Sequence, residues 1–260
     1  MNIDIEHSKN MHKHTERGNS LFTKNSLKEI ITRYQFAEGH VIGKNILEIG
    51  PGTGYASKNI IANSKSYTCI EYSRENTEIF QINYPNINII NADFTNLDGK
   101  IVSQLKNIDC IISMANIYYF DFEKFLETSK LLLLDNGKII FCTTNCLNHT
   151  FKKAEYTKKY YKLSELKEIL SQCGFKGTFY GGFNNEKLNI KDYLIKTFKF
   201  IIVRLVSKNI KIRIQKYFNI IKKLPEKIDI EKLDYEKLTP VNGNEDSKKY
   251  MVLYCVAENK

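Results

Sequence analysis

The sequence contains no tryptophan, only five arginines and no apolar run long enough for a membrane span. The apolar stretch around Phe198 to Val206 is too short to cross a bilayer, and Lys199 and Arg204 interrupt it. The first seven residues include no apolar stretch that resembles a signal peptide. We therefore expect a cytoplasmic protein whose core relies on its 16 tyrosines and 15 phenylalanines for large aromatic side chains.

The six cysteines show no pattern of a metal site or a disulfide framework. Four of them lie inside apolar, β-branched runs, where cysteine usually acts as a small buried hydrophobe: Cys69, Cys110, Cys142 and Cys255. Cys142 and Cys146 are four positions apart, but no second pair and no histidine stands at ligand spacing. The sequence therefore predicts reduced thiols and no bound metal.

The formal net charge of +10 indicates an anionic partner or a compositional excess of lysine. Residues 191–223 carry ten basic side chains against one acid, Asp192. Three interpretations of this segment remain open. The first is a solvated helical face, and the second is a site for a phosphorylated acceptor such as a nucleotide sugar. The third is a surface for peripheral contact with an anionic membrane.

Apolar segments of strand character alternate with helical segments from about residue 45 to residue 180. This rhythm predicts a doubly wound α/β domain, with a parallel sheet and helices on both faces. We assign residues 1–40 to an N-terminal arm and helices that could act as a lid, and residues 41–260 to the main domain. Within it, residues 184–247 read as a helical basic insertion before a last strand at Tyr250 to Ala257.

Three successive predicted strands end in residues that suit an adenosyl ligand. The first delivers Gly50, Gly52 and Gly54, whose missing side chains allow close approach of the backbone, before a helix predicted from Tyr55 to Ala62. Glu71 ends the second strand and can accept hydrogen bonds from ribose hydroxyls.

Asp93 ends the third strand and can accept from the adenine amino group, while Phe94 covers the ring. A dinucleotide fingerprint that starts at Gly50 would place the bulky Tyr55 at its last small position. The spacing therefore favours S-adenosylmethionine over a dinucleotide.

These segments resemble the class I S-adenosylmethionine-dependent methyltransferases. The matching stretches are 46–54, 70–73, 91–94, 108–113 and 132–139. The resemblance implies a seven-stranded, mostly parallel sheet whose last strand is antiparallel. The cofactor-binding residues expected are Glu48, Gly50, Gly52, Gly54, Glu71, Tyr72, Asp93, Phe94 and Met114.

A narrower resemblance, carried by segments such as 160–166 and 173–175, is to bacterial methyltransferases associated with surface-polysaccharide synthesis. It implies O-methylation of a sugar, a nucleotide sugar or a related glycan precursor. RNA methylation is an alternative that the net charge favours. The sequence lacks the Asn/Asp-Pro-Pro-Tyr/Phe tetrapeptide of adenine amino methylation, so nucleic acid is the less favoured partner. A non-catalytic, membrane-associated protein that retains the cofactor fold is the third alternative.

The segment from Met114 to Asp121 is predicted to line the acceptor side of the site. Many relatives carry Glu-His where this chain has Tyr118 and Tyr119, so a histidine base cannot be transferred. Tyr119 and His149 are the candidate catalytic residues, and His12 and His14 of the N-terminal arm could also close over the site.

Overall fold

The structure is a computed structural model that describes residues 24–154, 156–185 and 234–259. Residues 1–23 of the N-terminal arm, with the candidates His12 and His14, lie outside the described residues. So do residues 186–233 of the predicted insertion, with the basic segment 191–223. The helices are α1 (Lys24–Glu38), α2 (Lys58–Asn63), α3 (Arg74–Asn83), α4 (Gly99–Gln104), α5 (Phe122–Leu132), α6 (Leu163–Gln172) and α7 (Asn244–Ser247). Short 3₁₀ turns lie at Phe94–Asn96 and Ile117–Tyr119.

Eight strands form one sheet in the order β3-β2-β1-β4-β5-β8-β6-β7. They are β1 (Asn45–Ile49), β2 (Ser66–Glu71), β3 (Asn88–Asn91), β4 (Ile108–Met114), β5 (Leu133–Thr144), β6 (Phe175–Asn184), β7 (Thr239–Pro240) and β8 (Tyr250–Asn259). The strands β1 to β5 pair in parallel, whereas β8 is antiparallel to both β5 and β6. The order reverses between β1 and β4, and ligands of open α/β sheets bind at such a point.

Buried side chains cover both faces of this sheet, which is why the central strands read as continuous apolar runs. One cluster includes Phe125 and Leu170 from α5 and α6. The other includes Ile60 and Phe80 from α2 and α3. The predicted α/β class, the mainly parallel sheet and the antiparallel last strand are thus confirmed.

Some local predictions were wrong. The sheet has eight strands, because the two-residue β7 adds to the edge of β6. Residues 55–57 form a turn, and α2 begins only at Lys58. The sequence also predicts a helix from Ser164 to Cys173 with Ser164 as its N-cap, but α6 begins at Leu163 and its N-cap position is Lys162. Glu165 instead accepts a hydrogen bond from the backbone of Lys162 at 2.8 Å.

None of the six cysteines, all of which lie in the described ranges, forms a disulfide, and the four in apolar runs are buried as predicted. Within the described ranges, no cluster of three metal-ligating side chains is present, and no helix is long and apolar enough to span a membrane.

Candidate active site

A cavity of about 420 Å³ opens where β1, β2, β3 and β4 end and α1 crosses above them. This volume lies within the range of small-molecule and cofactor sites. The residues that line it are Ile30, Arg33, Tyr34, Ile49, Gly50, Pro51, Gly52, Tyr55, Ala56, Ile70, Glu71, Tyr72, Ala92, Asp93, Phe94, Met114, Ala115, Asn116, Tyr118, Tyr119, Phe120 and Lys158.

The turn after β1 exposes backbone to the cavity at Gly50 and Gly52. Both residues have positive φ, 68° and 62°, a conformation that glycine adopts without steric cost. The Gly50 amide donates to Ile70 O at 2.8 Å, which joins the turn to the end of β2. The turn therefore presents backbone, with no side chain from these two positions, to a ligand.

Gly54 does not line the cavity, although it belongs to the same turn. A Cβ atom at this position would lie 2.6 Å from Phe80 and 2.8 Å from Tyr84. Its φ of 74° adds a second reason for glycine. Gly54 therefore allows the turn to pack against α3, and its contact with the cofactor stays a prediction.

Glu71 is 5% exposed and lies on the cavity wall at the end of β2. Its carboxylate accepts hydrogen bonds from Gly52 N at 3.0 Å and from Ser73 N at 2.8 Å. The Asn76 side chain donates to it as well. Burial raises the pKa of Glu71 above its ordinary value, and the three donors oppose this shift. The three donors occupy three of the roughly four acceptor positions of a carboxylate, so about one is left for a ligand.

Asp93 and Phe94 lie on the cavity wall beyond β3. Asp93 caps the following 3₁₀ turn, because its Oδ1 accepts from Thr95 N at 2.9 Å and from Thr95 Oγ1 at 2.8 Å. Phe94 is 3% exposed and packs against Phe125, with 5.3 Å between ring centroids. The packed ring of Phe94 thus lies next to the carboxylate of Asp93, whose Oδ1 accepts both of these hydrogen bonds.

Glu48 does not line the cavity, and its predicted contact with the cofactor stays a prediction. Its carboxylate accepts hydrogen bonds from Tyr34 Oη at 2.6 Å, Ser57 Oγ at 3.0 Å and Tyr67 Oη at 2.5 Å. Burial raises the pKa of Glu48, and the three hydroxyls oppose the shift. Glu48 therefore cross-links α1, β2 and the turn, while Tyr34 itself reaches the cavity.

Beyond β4 the chain turns sharply into the wall that faces the glycine turn. Ala115 has a φ of 57°, an uncommon value for a residue with a side chain. Asn116 follows, donates to Ile49 O and accepts from Ser113 Oγ. The rings of Tyr118 and Tyr119 come next, with centroids 4.7 Å apart. Asn116 thus ties this aromatic wall to the end of β1.

Comparison with known proteins gives the chain a family. Residues 21–178 match a family described as a methyltransferase domain, which is more than half of the chain. The chain belongs to the methyltransferase-domain family. S-Adenosylmethionine is its cofactor. The cavity suits that molecule, since exposed turn backbone, a carboxylate at the end of β2 and an anchored ring beyond β3 meet at one opening.

Two curated relatives of this methyltransferase carry the name ribosomal RNA small subunit methyltransferase A. The protein from Chlorobium limicola is 32% identical over 103 residues, which are 37% of this chain and 38% of that protein. The protein from Chlorobium phaeobacteroides is 30% identical over 146 residues, covering 53% of this chain and 51% of that protein. The chain therefore spans about half of these relatives or less.

Solved structures support the methyltransferase fold. A methyltransferase from Thermotoga maritima, described as a possible histamine N-methyltransferase, has a TM-score of 0.56 at 14% identity, covering 90% of this chain and 92% of its own. Another from Archaeoglobus fulgidus has a TM-score of 0.56 at 15% identity, covering 91% and 95%. At such low identity these likenesses concern the fold alone.

The methyltransferase cavity brings together eight of the eleven residues that the sequence predicts as cofactor-binding or catalytic. They are Gly50, Gly52, Glu71, Tyr72, Asp93, Phe94, Met114 and Tyr119. Of the other three, His149 is exposed and does not line the cavity. Sequence reasoning missed Arg33, Tyr34 and Lys158, because no spacing relative to the glycine turn marks a residue that α1 or a distant loop delivers.

Proposed function

We propose that this methyltransferase transfers the methyl group of S-adenosylmethionine to an acceptor that carries a nucleotide unit, either a nucleotide sugar or RNA. The observation that supports this most directly is the pairing of aromatic rings with a lysine opposite the glycine turn. Tyr118 and Tyr119 line the cavity, and the Lys158 amide donates to Tyr118 O at 2.8 Å. Aromatic faces stack with flat bases, and lysine attracts phosphate.

The cofactor would occupy the side of the cavity formed by β1, β2 and β3. Glu71 has an acceptor position left for one ribose hydroxyl without rearrangement; the second hydroxyl would have to displace a present donor. Asp93 Oδ2 would accept from the adenine amino group, and Phe94 would cover the ring. The backbone of Gly50 and Gly52 would lie against the methionine portion.

When bound, the cofactor would supply a methyl group on a sulfonium, and the neutral thioether would be the leaving group of an in-line displacement by the acceptor. The residues of this chain then mainly position the acceptor about 3 Å from the methyl carbon. Asn116 fixes the distance between the two halves of the site, because it bonds to the end of β1 and begins the aromatic wall. Tyr119 is the candidate for a hydrogen bond to the acceptor atom.

Two sources of the nucleotide are supported by different observations. The segments that resemble surface-polysaccharide enzymes favour a nucleotide sugar whose sugar hydroxyl is methylated. The curated relatives named as ribosomal RNA methyltransferases, together with the net charge of +10, favour RNA. Nucleic acid is therefore a stronger candidate than the sequence alone suggested.

The deciding experiment is a methyl-transfer assay in which the mass of the product is measured. Purified protein with S-adenosylmethionine is offered a panel of nucleotide sugars, free mononucleotides and single-stranded RNA. We expect a gain of one methyl group on a nucleotide-bearing acceptor.

Replacing Tyr118 by Ala should reduce turnover by at least about tenfold through lost stacking, and Tyr118→Phe should retain most of it because the ring remains. Methylation of nucleotide-free glycans alone, or equal activity of both variants, would refute the proposal.

A further inference from the structure

A row of aromatic side chains continues from the cavity wall onto the loop between β5 and α6. Tyr119 contacts Tyr118, and Tyr118 stacks on Tyr160 with ring centroids 4.8 Å apart and an interplanar angle of 25°. Phe151 meets Tyr160 edge to face at 4.8 Å. We call these four residues the aromatic shelf. All four are half-buried, so the shelf keeps ring surface open to solvent.

Lysines surround the aromatic shelf. Residues 151–162 contain five lysines and one glutamate. Lys152 and Lys153 directly follow Phe151, and both are exposed. Lys158 is exposed too and is joined through its backbone to Tyr118. Only Lys159 of the five forms an ion pair with a described acid, Glu165, at 3.0 Å.

The loop between β5 and α6, which carries Phe151 and Tyr160 of the shelf, is anchored to the end of the sheet. The side-chain amide of Asn145, a fully buried residue, donates through Nδ2 to Ser247 O at 2.8 Å and to Tyr250 O at 2.9 Å. The side-chain amide of Asn148 donates through Nδ2 to Lys248 O at 2.8 Å. These bonds hold residues 145–148, the start of this loop, in place without a ligand, which lowers the entropy lost on binding.

We propose that the aromatic shelf binds the nucleotides that flank the acceptor nucleotide in a single-stranded RNA. Aromatic rings in a row with lysines beside them are the arrangement that binds single strands, since bases stack on the rings and phosphates meet the cations. This rests on the proposed function for the nucleotide in the cavity. A nucleotide sugar has one base, which Tyr118 and Tyr119 would accommodate, and it would leave Tyr160 and Phe151 without a role.

The test measures binding of a fluorescent single-stranded RNA of about twelve nucleotides, and of a fluorescent mononucleotide, to the full chain with S-adenosylhomocysteine present. The double variant Lys152→Glu/Lys153→Glu should weaken RNA binding about tenfold or more and lower the salt dependence of affinity, because phosphate contacts are lost. It should leave the affinity for the mononucleotide nearly unchanged.

A matched control makes the same change of charge at the opposite end of the parallel strands, where they begin. Lys65 and Lys106 are exposed and precede β2 and β4, so they lie at the amino ends of these strands. Lys65→Glu/Lys106→Glu should weaken RNA binding by less than about threefold, since these lysines are far from the shelf and act only through long-range charge.

A second pair of variants tests stacking apart from charge. Tyr160→Ala should weaken RNA binding by about tenfold, whereas Tyr160→Phe should bind as the wild type does, because it keeps the ring. Equal affinities of the shelf variants and their controls, or RNA that binds no tighter than the mononucleotide, would overturn the proposal.

The two proposals can fail separately. Methylation of a nucleotide sugar or mononucleotide without tighter binding of RNA would leave the proposed function intact and refute the shelf. Shelf-dependent RNA binding without transfer to any nucleotide-bearing acceptor would support the shelf and refute the proposed function.

Discussion

At the scale of single residues, the three glycines of the turn after β1 have two different physical requirements. Gly50 and Gly52 need positive φ and bring bare backbone to the cavity. Gly54 also needs positive φ, but its surroundings are the rings of Phe80 and Tyr84. Substitution of Gly54 should therefore damage folding before it damages ligand contacts.

Gly54→Ala should lower the free energy of unfolding by about 2–3 kcal/mol, because the new methyl group meets two rings in a strained backbone conformation. Chemical denaturation measures this. The control is Gly39→Ala, which is exposed and has nothing within 4 Å of the added Cβ, so its effect should stay below about 1 kcal/mol. Equal stability of the two variants would contradict the packing role.

A second prediction concerns Glu71, whose carboxylate both orders the turn and faces the cavity. Glu71→Gln should weaken S-adenosylmethionine binding by about 1–3 kcal/mol, because a charged acceptor and part of the turn's order are lost. Calorimetry measures the affinity. Glu78→Gln on α3 is the control, since its side chain is largely exposed and pairs only locally with Arg74. Unchanged affinity in a folded Glu71→Gln protein would argue against the ribose role.

At the scale of elements, Glu48 connects the first helix to the sheet. Its hydroxyl donors come from α1, from β2 and from the residue that precedes α2. A carboxylate with three donors holds these elements in register. The cost of burial nevertheless exceeds the benefit of the donors, since the pKa of Glu48 is raised.

The raised pKa of Glu48 predicts how stability depends on pH. Between the unfolded value near 4.5 and the higher folded value, the folded state binds more protons than the unfolded state, so stability falls as pH rises. Glu48→Gln cannot titrate. The difference in unfolding free energy, Glu48→Gln minus wild type, should therefore increase as pH rises through that window, because only the wild type loses stability. The increase should be at most about 1.4 kcal/mol per pH unit.

Denaturation series at several pH values from about 4 to 7 measure this difference. Glu78→Gln serves as the control, because it makes the same substitution at an exposed position on α3. A constant difference between Glu48→Gln and wild type would show that Glu48 has the same pKa in both states.

The elements that sequence could predict are those whose burial dictates their pattern. β4 is buried on both faces and is mostly apolar, and α5 is strongly amphipathic. The helix α4 escaped prediction because none of its residues is buried; it begins where Asp98 accepts from Ile101 N at 2.8 Å.

The residues of the site show the same contrast between positions that a sequence pattern marks and positions that only the folded chain brings together. Strand ends and glycines mark where the chain turns at the carboxyl end of the sheet, so the positions of Gly50, Glu71 and Asp93 on the cavity wall could be predicted from spacing alone. The side-chain partners of Glu48 lie on elements that only the folded chain brings together. No local sequence pattern predicts that the hydroxyls of Tyr34 and Tyr67 both donate to the carboxylate of Glu48.

At the scale of the whole molecule, the strand β8 connects the parallel part of the sheet to the strands β6 and β7. It is the last strand along the chain, yet it lies between β5 and β6 and pairs with both. From Val252 to Ala257 its residues are at most 8% exposed. One half of the sheet is therefore joined to the other only through this strand within the described residues.

Hydrogen exchange under native conditions should consequently show β8 amides opening only with global unfolding, despite their position in the sequence. Backbone bonds in the interior of a sheet open with the whole core, whereas edges open locally at lower free energy. The internal comparison is β3, which pairs only with β2 and has no fully buried residue. Its amides should exchange through a lower-energy opening. If β8 exchanged as readily as β3, the two halves of the sheet would be separable units, and the site at β1 and β4 could persist without the strands beyond β5.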